Sequence, residues 1–239
     1  MVAFDKAIRG GADMIELDVR LTKDGEVVVI HDSLLARTAH SAGRVEARTF
    51  EHLRSLDVGA WFDSKFRGER IPLLEEVLQL AAGHVGLNIE MKVRRTSPTA
   101  ELLVQAVAAL AAAWKDRLPL LVSSFHRPAI DKFRTLQPDV PAWYIYSHET
   151  SAPDPAHFKA SCPFAIVESA LAIPPLVEKV HKKQGRVLVW TVDDPARMRE
   201  LLDMGVDGIV SNRPALLKSV RDEWVVSQVG AGGSRLFLT

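Results

Sequence analysis

The chain has 239 residues, enough for one large domain or two small ones, and 47% of them are hydrophobic, enough to bury a substantial core. Thirty basic residues balance thirty acidic ones, so the formal net charge is zero, which argues against a broad nucleic-acid footprint. Cys162 is the only cysteine, which excludes an intrachain disulfide and a cysteine-rich zinc site. No apolar run is long enough to span a bilayer, and the opening MVAFDKAIRGG lacks the basic and apolar regions of a signal peptide, so a soluble, cytoplasmic protein is expected.

In chain order, residues 2–9 have helical spacing with Gly10-Gly11 as a stop. Residues 14–21 read as a strand, Asp24-Gly25 as a hairpin turn and residues 26–30 as a second strand. Strand alternation sends Glu16 and Asp18 one way and Ile15, Leu17 and Val19 the other. Two neighbouring anions on an otherwise apolar strand repel each other and resist burial; a hard cation such as Mg²⁺ or Ca²⁺ resolves the conflict by taking carboxylate oxygens. His31-Asp32, just after the second strand, adds a group able to move protons. The pattern points to metal-assisted hydrolysis.

Residues 33–70 read as irregular, rich in charge and aromatics. A helix is expected over 72–81 with Pro72 at its start, then a strand over 86–93 with Asn88, Glu90 and Lys92 on one face. Helices at 98–114, 128–136, 174–183, 195–203 and 214–221 alternate with strands at 120–125, 142–146, 164–167, 186–192 and 208–211. The tail SQVGAGGS is glycine-rich and expected to be mobile. Strand–helix alternation with short loops predicts an α/β protein with a parallel sheet, and polar residues gather at the C-terminal strand ends: Glu16/Asp18, Glu90/Lys92, Ser124/His126, Trp190/Asp193 and Ser211/Asn212. That clustering favours a TIM (β/α)8 barrel over an open doubly wound sheet, and no glycine-rich nucleotide fingerprint follows any strand. Seven core strands are counted if residues 26–30 are a hairpin decoration.

Several segments together carry a family resemblance: GADMIELDVRLTKDGEVVVIHD (11–32), LDVGAWFDSKFRGERIPLLEEVL (56–78), LNIEMK (87–92), SSF (123–125), GRVLVWTVDD (185–194) and MGVDGIVSNRP (204–214). The sequence resembles the glycerophosphodiester phosphodiesterase family over nearly its whole length. The resemblance implies a TIM barrel of the PLC-like phosphodiesterase type, one domain over 1–226 with an insertion at about 31–72 after strand two, and a flexible tail at 227–239. It implies hydrolysis of glycerophosphodiesters, small-molecule substrates, to sn-glycerol 3-phosphate and an alcohol. By the same resemblance Glu16, Asp18 and Glu90 hold a divalent cation, His31 is one of two acid/base histidines, Lys92 stabilises phosphate charge, and Trp190 walls the glycerol side of the pocket. The family pattern begins with a His-Arg strand and a Glu-Asn-Thr segment, whereas this chain opens on the helix that follows them. The resemblance therefore implies that the first strand and its histidine are absent here, as in a fragment or a chain with a misplaced start.

The residues also admit plainer roles. Glu90 and Lys92 can form a salt bridge inside the barrel, Asp32 can orient His31 or cap the next turn, and Trp190 can be core. His126 reads as a polar loop residue. Trp61, Phe62 and Phe66 read as a cluster holding the insertion to the barrel, and the other histidines show no pattern. Two further functions stay open: a catalytically impaired binder of glycerophosphodiester or phosphate, and a phospholipase D-like enzyme acting on lysophospholipids.

Overall fold

The structure, a computed structural model, describes residues 1–93, 99–149 and 164–230. It divides into two compact units: Met1–Arg9 with Asp13–Tyr144, and Gly10–Ala12 with the chain from Ile145 onward.

In the first unit, helix α1 (Val2–Arg9) precedes β1 (Met14–Leu21), which turns back into β2 (Val27–Val29). The turn forms as the Asp-Gly pair predicts. Gly25 takes φ +91°, a conformation that favours glycine, and the Thr22 hydroxyl donates to Asp24 Oδ1 at 2.6 Å while accepting from Glu26 N at 2.9 Å. Strands β3 (Gly86–Met91), β4 (Leu120–Ser124) and the start of β5 (Ala142–Tyr146) follow, alternating with helices α4 (Leu74–Ala81), α5 (Ala100–Trp114) and α6 (Arg127–Leu136). The order across this unit is β2-β1-β3-β4-β5, antiparallel only between β1 and β2. Every residue of β3 and β4 is buried, because helices cover one face and side chains of neighbouring strands the other. Val19, Leu87, Ile89, Met91, Val122, Val77, Val107 and Phe133 are all fully buried in this core.

In the second unit the end of β5 pairs with β6 (Phe164–Glu168), then β7 (Arg186–Trp190) and β8 (Gly208–Ile209), all parallel. Helices α7 (Pro174–His181) and α8 (Pro195–Met204) lie between them in sequence, and α9 (Pro214–Gly230) follows β8. α8 is capped by Asp194, whose carboxylate accepts from Arg197 N at 3.0 Å, and stopped by Gly205 at φ +81°. From β1 and β3 through β8 each strand pairs in parallel with the next, with a helix between strands at every step outside β5–β6, where residues 150–163 lie outside the described residues; this is the winding of the α/β TIM (β/α)8 class.

Most elements fall within two residues of where the spacing puts them, and three departures have a physical reading. The helix expected from Pro72 begins at Leu74, because the Glu76 carboxylate takes the Leu73 N–H at 2.8 Å and so makes Leu73 the cap. α9 runs past Arg221 to Gly230, so residues 227–230 of the expected tail are helical and 231–239 lie outside the described residues. Residues 33–70, read as irregular, contain two short α-helices, α2 (Ala36–Ala39) and α3 (Phe50–Ser55), and two single turns of 3-10 helix.

These short helices fold over a core of their own. Val28, Leu35, Val45, Leu53 and Ile71 are buried together, with Ile30, Phe50, Leu56, Val58 and Leu73 packed around them. Arg54 locks the insertion to α4 by a two-pronged pair with Glu76 at 2.6 and 2.7 Å. The aromatic trio does associate, Trp61 with Phe62 at 5.8 Å and Phe62 with Phe66 at 6.0 Å, but Phe62 is 72% exposed, so aliphatic residues and not this trio hold the insertion. Leu53→Ala should therefore cost about 2–5 kcal/mol by removing a fully buried side chain, whereas Leu34→Ala, at an exposed position, should stay within about 0.5 kcal/mol of wild type in urea unfolding.

Candidate active site

The site begins with strand register. Asp18 on β1 stands beside Glu90 on the parallel strand β3, and Glu16 beside Asn88. Ile15, Leu17 and Val19 are buried on the opposite face, so the apolar residues fix the direction in which the carboxylates point. Carboxylate oxygens of Glu16, Asp18 and Glu90 all lie within 4.8 Å of one another. Lys92, two residues after Glu90, reaches back to Glu90 Oε1 at 2.6 Å and to Asp18 Oδ1 at 2.9 Å.

Electrostatics sharpen this picture. Burial, together with the charges of Asp18 and Glu90, raises the Glu16 carboxyl to about 8, against the opposing pull of Lys92. Burial also raises Glu90, opposed by Lys92 and by His31. Burial works against the Lys92 charge, but Glu90 and Asp18 outweigh it and hold the ammonium above its ordinary range. Glu16 Oε1 is buried with no hydrogen-bond partner, as are Asn88 Oδ1 and Ser123 Oγ. An acceptor buried in this way costs free energy unless something donates to it or coordinates it.

The donor set fits a hard divalent cation. It is all carboxylate oxygen, and opposite ligands of Mg²⁺ or Ca²⁺ stand about 4–5 Å apart with adjacent ones closer, so oxygens within 4.8 Å of one another can share one ion. Glu16, Asp18 and Glu90 are the residues that could hold the ion.

His31 follows β2 and remains largely exposed, its side chain at 63%. Ile30 N donates to Asp18 O at 2.9 Å, which brings the chain leading into His31 alongside the carboxylate strand. The imidazole Nδ1 lies 2.8 Å from Asp32 Oδ1, leaving Nε2 as the ring atom facing away from the carboxylate. Of the two roles open to Asp32, the one observed is contact with the imidazole. The structure thus brings Glu16, Asp18, Glu90, Lys92 and His31 into one unit. Trp190 ends β7 in the second unit, beside Glu168 of β6, the strand-end position its assignment assumes. His126 caps α6, with its N–H donating to Ser124 Oγ at 3.1 Å.

Three features escape sequence reasoning. Arg20 continues the alternation of Glu16 and Asp18, yet its guanidinium donates to the His31 carbonyl at 2.9 and 2.7 Å and pairs with Glu46 at 3.0 Å. Arg37 donates from Nε to Asp32 Oδ2 at 2.6 Å. In the second unit His148, to which no pattern pointed, donates its N–H to Glu168 at 3.0 Å and sets its Nδ1 2.6 Å from the same oxygen, a contact that raises the imidazole above its ordinary range. Nothing in local spacing links these partners; an arginine two residues past a paired-carboxylate motif is the one signal available for Arg20. Asp193, Ser211 and Asn212 of the polar strand ends are joined by hydrogen bonds of 2.8 Å and form a structural tie between loops.

A model of the glycerophosphoryl diester phosphodiesterase family matches residues 1–216. The chain is 34% identical over 222 residues to a glycerophosphodiester phosphodiesterase of Caldanaerobacter subterraneus subsp. tengcongensis, covering 91% of this chain and 89% of that one. It is 33% identical over 230 residues to the enzyme of that name from Bacillus altitudinis, covering 93% and 92%. Among solved structures, an Oleispira antarctica phosphodiesterase in complex with the product sn-glycerol-3-phosphate matches with a TM-score of 0.85 and 26% identity over 92% of this chain and 89% of that one. A glycerophosphodiester phosphodiesterase from Agrobacterium tumefaciens matches with a TM-score of 0.75 and 29% identity over 90% of each.

The raised Glu16 carboxyl makes a signed prediction for protein kept free of metal with EDTA. Between about 4.5 and 8 the native state holds a proton that the unfolded chain has released, so Glu16 lowers stability progressively as pH rises through that window and adds no slope above it. Urea midpoints measured from pH 5 to 9 should show this fall in wild type and a clearly shallower one in Glu16→Gln, where the raised Glu90 carboxyl still contributes.

Proposed function

The chain belongs to the glycerophosphoryl diester phosphodiesterase family, and on that footing we propose that it hydrolyses glycerophosphodiesters to sn-glycerol 3-phosphate and an alcohol with a divalent cation held by Glu16, Asp18 and Glu90. The observation that carries the metal requirement is the convergence of three carboxylates, one with a buried oxygen lacking any hydrogen bond. The product found with the Oleispira relative supports the substrate class. Mg²⁺ and Ca²⁺ both suit the donor set.

A bound cation supplies Lewis-acid stabilisation of charge on the nonbridging phosphate oxygens. The remaining chemistry belongs to the side chains. Lys92 pairs with Asp18 and Glu90 and contributes positive charge where a phosphate anion would sit. His31, with Nδ1 turned to Asp32, presents Nε2 for proton transfer, taking a proton from the nucleophile, water or the glycerol 2-hydroxyl, or giving one to the leaving alkoxide.

Release of sn-glycerol 3-phosphate from glycerophosphocholine should require added Mg²⁺ or Ca²⁺, stop in EDTA, and be lost in Glu16→Ala and Glu90→Ala, which should also lose calorimetric metal binding. His31→Ala should bind metal normally and turn over about 10²–10⁴-fold more slowly. Turnover at the wild-type rate in EDTA would overturn the metal requirement.

A further inference from the structure

The proton-transfer role proposed for His31 needs a defined ring orientation, and His31 is an exposed residue on a loop. An imidazole in that position ordinarily samples several rotamers and both neutral tautomers. Its surroundings here restrict it at two points. Arg20, a buried arginine paired with Glu46, holds the main-chain carbonyl with two N–H groups at 2.9 and 2.7 Å, and Glu46 is itself steadied by the Ser33 hydroxyl at 3.0 Å. The ring is held by Asp32, whose two oxygens are divided: Oδ1 faces His31 Nδ1 at 2.8 Å and Oδ2 accepts from Arg37 Nε at 2.6 Å.

Arg37 is in turn fixed from behind. Its guanidinium lies 4.8 Å from the centroid of the Trp61 ring, a cation–π arrangement. Trp61 donates its indole N–H to Val58 O at 2.9 Å. That loop is closely tied: Asp57 accepts from Gly59, Ala60 and Gly68 main-chain N–H groups at 2.7–2.9 Å, and a Cβ on Gly59 would stand 1.9 Å from Phe66 O. A chain of contacts therefore runs from the insertion loop through Trp61, Arg37 and Asp32 to the imidazole.

We propose that Arg37 is a positioning residue for this reaction: by holding Asp32 Oδ2 it fixes Oδ1 on His31, so that the imidazole keeps its proton on Nδ1 and presents Nε2 to the reacting atoms. The inference rests on the proton-transfer reading of His31. A stability role is the weaker account, because Arg37 is 54% exposed and exposed ion pairs contribute little to folding. The Arg37 hydrogen bond is also the main cause holding the Asp32 carboxyl down at about 2, which keeps it an acceptor for both partners across the working pH range.

The test compares wild type with Arg37→Ala, Arg37→Lys and His31→Ala. Two-bond ¹⁵N–¹H correlation spectra of the neutral His31 ring should show one tautomer, Nδ1–H, in wild type and a mixture in Arg37→Ala, with Arg37→Lys partly restoring the wild-type pattern. In steady-state assays with glycerophosphocholine, Arg37→Ala should lower kcat about 10- to 100-fold, with KM and the urea midpoint close to wild type. A single Nδ1–H tautomer in Arg37→Ala, or an unchanged kcat beside a His31→Ala that is disabled, would overturn the positioning role. A fully active His31→Ala would instead overturn the proton-transfer reading beneath it.

Discussion

The structure is organised by one constraint: three carboxylates must share a small volume on two parallel strands. Asp18 stands directly beside Glu90, and Glu16 lies two residues behind on the same face. The same register buries Ile15, Leu17 and Val19 on the other face, so the apolar packing that stabilises the sheet also forces the anions together. A slip by one residue would exchange the two sets and bury neither correctly. Lys92 answers part of the repulsion by pairing with two of the three carboxylates. The remaining conflict is visible in the Glu16 carboxyl, pushed up to about 8, and in its buried, unbonded oxygen.

The insertion after β2 supports the residue at its start. His31 is exposed, so it is held not by burial but by hydrogen bonds from groups that are themselves anchored. Anchoring of that kind needs a folded support, which the segment builds from a small aliphatic core and the Arg54–Glu76 pair. The Asp24 carboxylate adds a second tie, accepting from Phe50 N at 3.0 Å, so the hairpin turn and α3 share one carboxylate. A stretch that reads as irregular is thus a compact part of the first unit.

How much of this was legible in the sequence depends on the range of each interaction. Period-two alternation in 14–21 and 86–91 is local, so Glu16, Asp18 and Glu90 were readable as co-facial, and strand–helix alternation gave the α/β barrel class. Helix ends set by side chains, such as the Glu76 bond to Leu73 N, shift a boundary without changing the pattern. The short helices in 33–70 have too few turns for periodicity to register, and their core is drawn from Val28, Leu35, Val45, Leu53 and Ile71, residues distant in sequence. Arg20, Arg37 and the His148–Glu168 pair act across 5 to 26 positions, and no spacing rule encodes such partnerships. The aromatic trio misleads for a different reason: Trp61 and Phe62 are hydrophobic by type, but their place is the surface, where Trp61 lies against Arg37.

The carboxylate cluster is best understood as a cost that function imposes. Removing charges from water is unfavourable, and well-packed apolar groups in place of a buried ion pair are often neutral or stabilising. Folding alone therefore gives no reason to keep Glu16, Asp18, Glu90 and Lys92 together beside strands that are otherwise mostly Leu, Ile, Val and Met. The apolar faces of β1 and β3 supply enough packing to tolerate the cluster, since Leu17, Val19, Leu87, Ile89 and Met91 are all nearly or fully buried. Under the proposed function the cluster supplies preorganisation: hard anionic ligands converged on two strands, with an ammonium just past β3 between two of them, where a cation and a phosphodiester would bind.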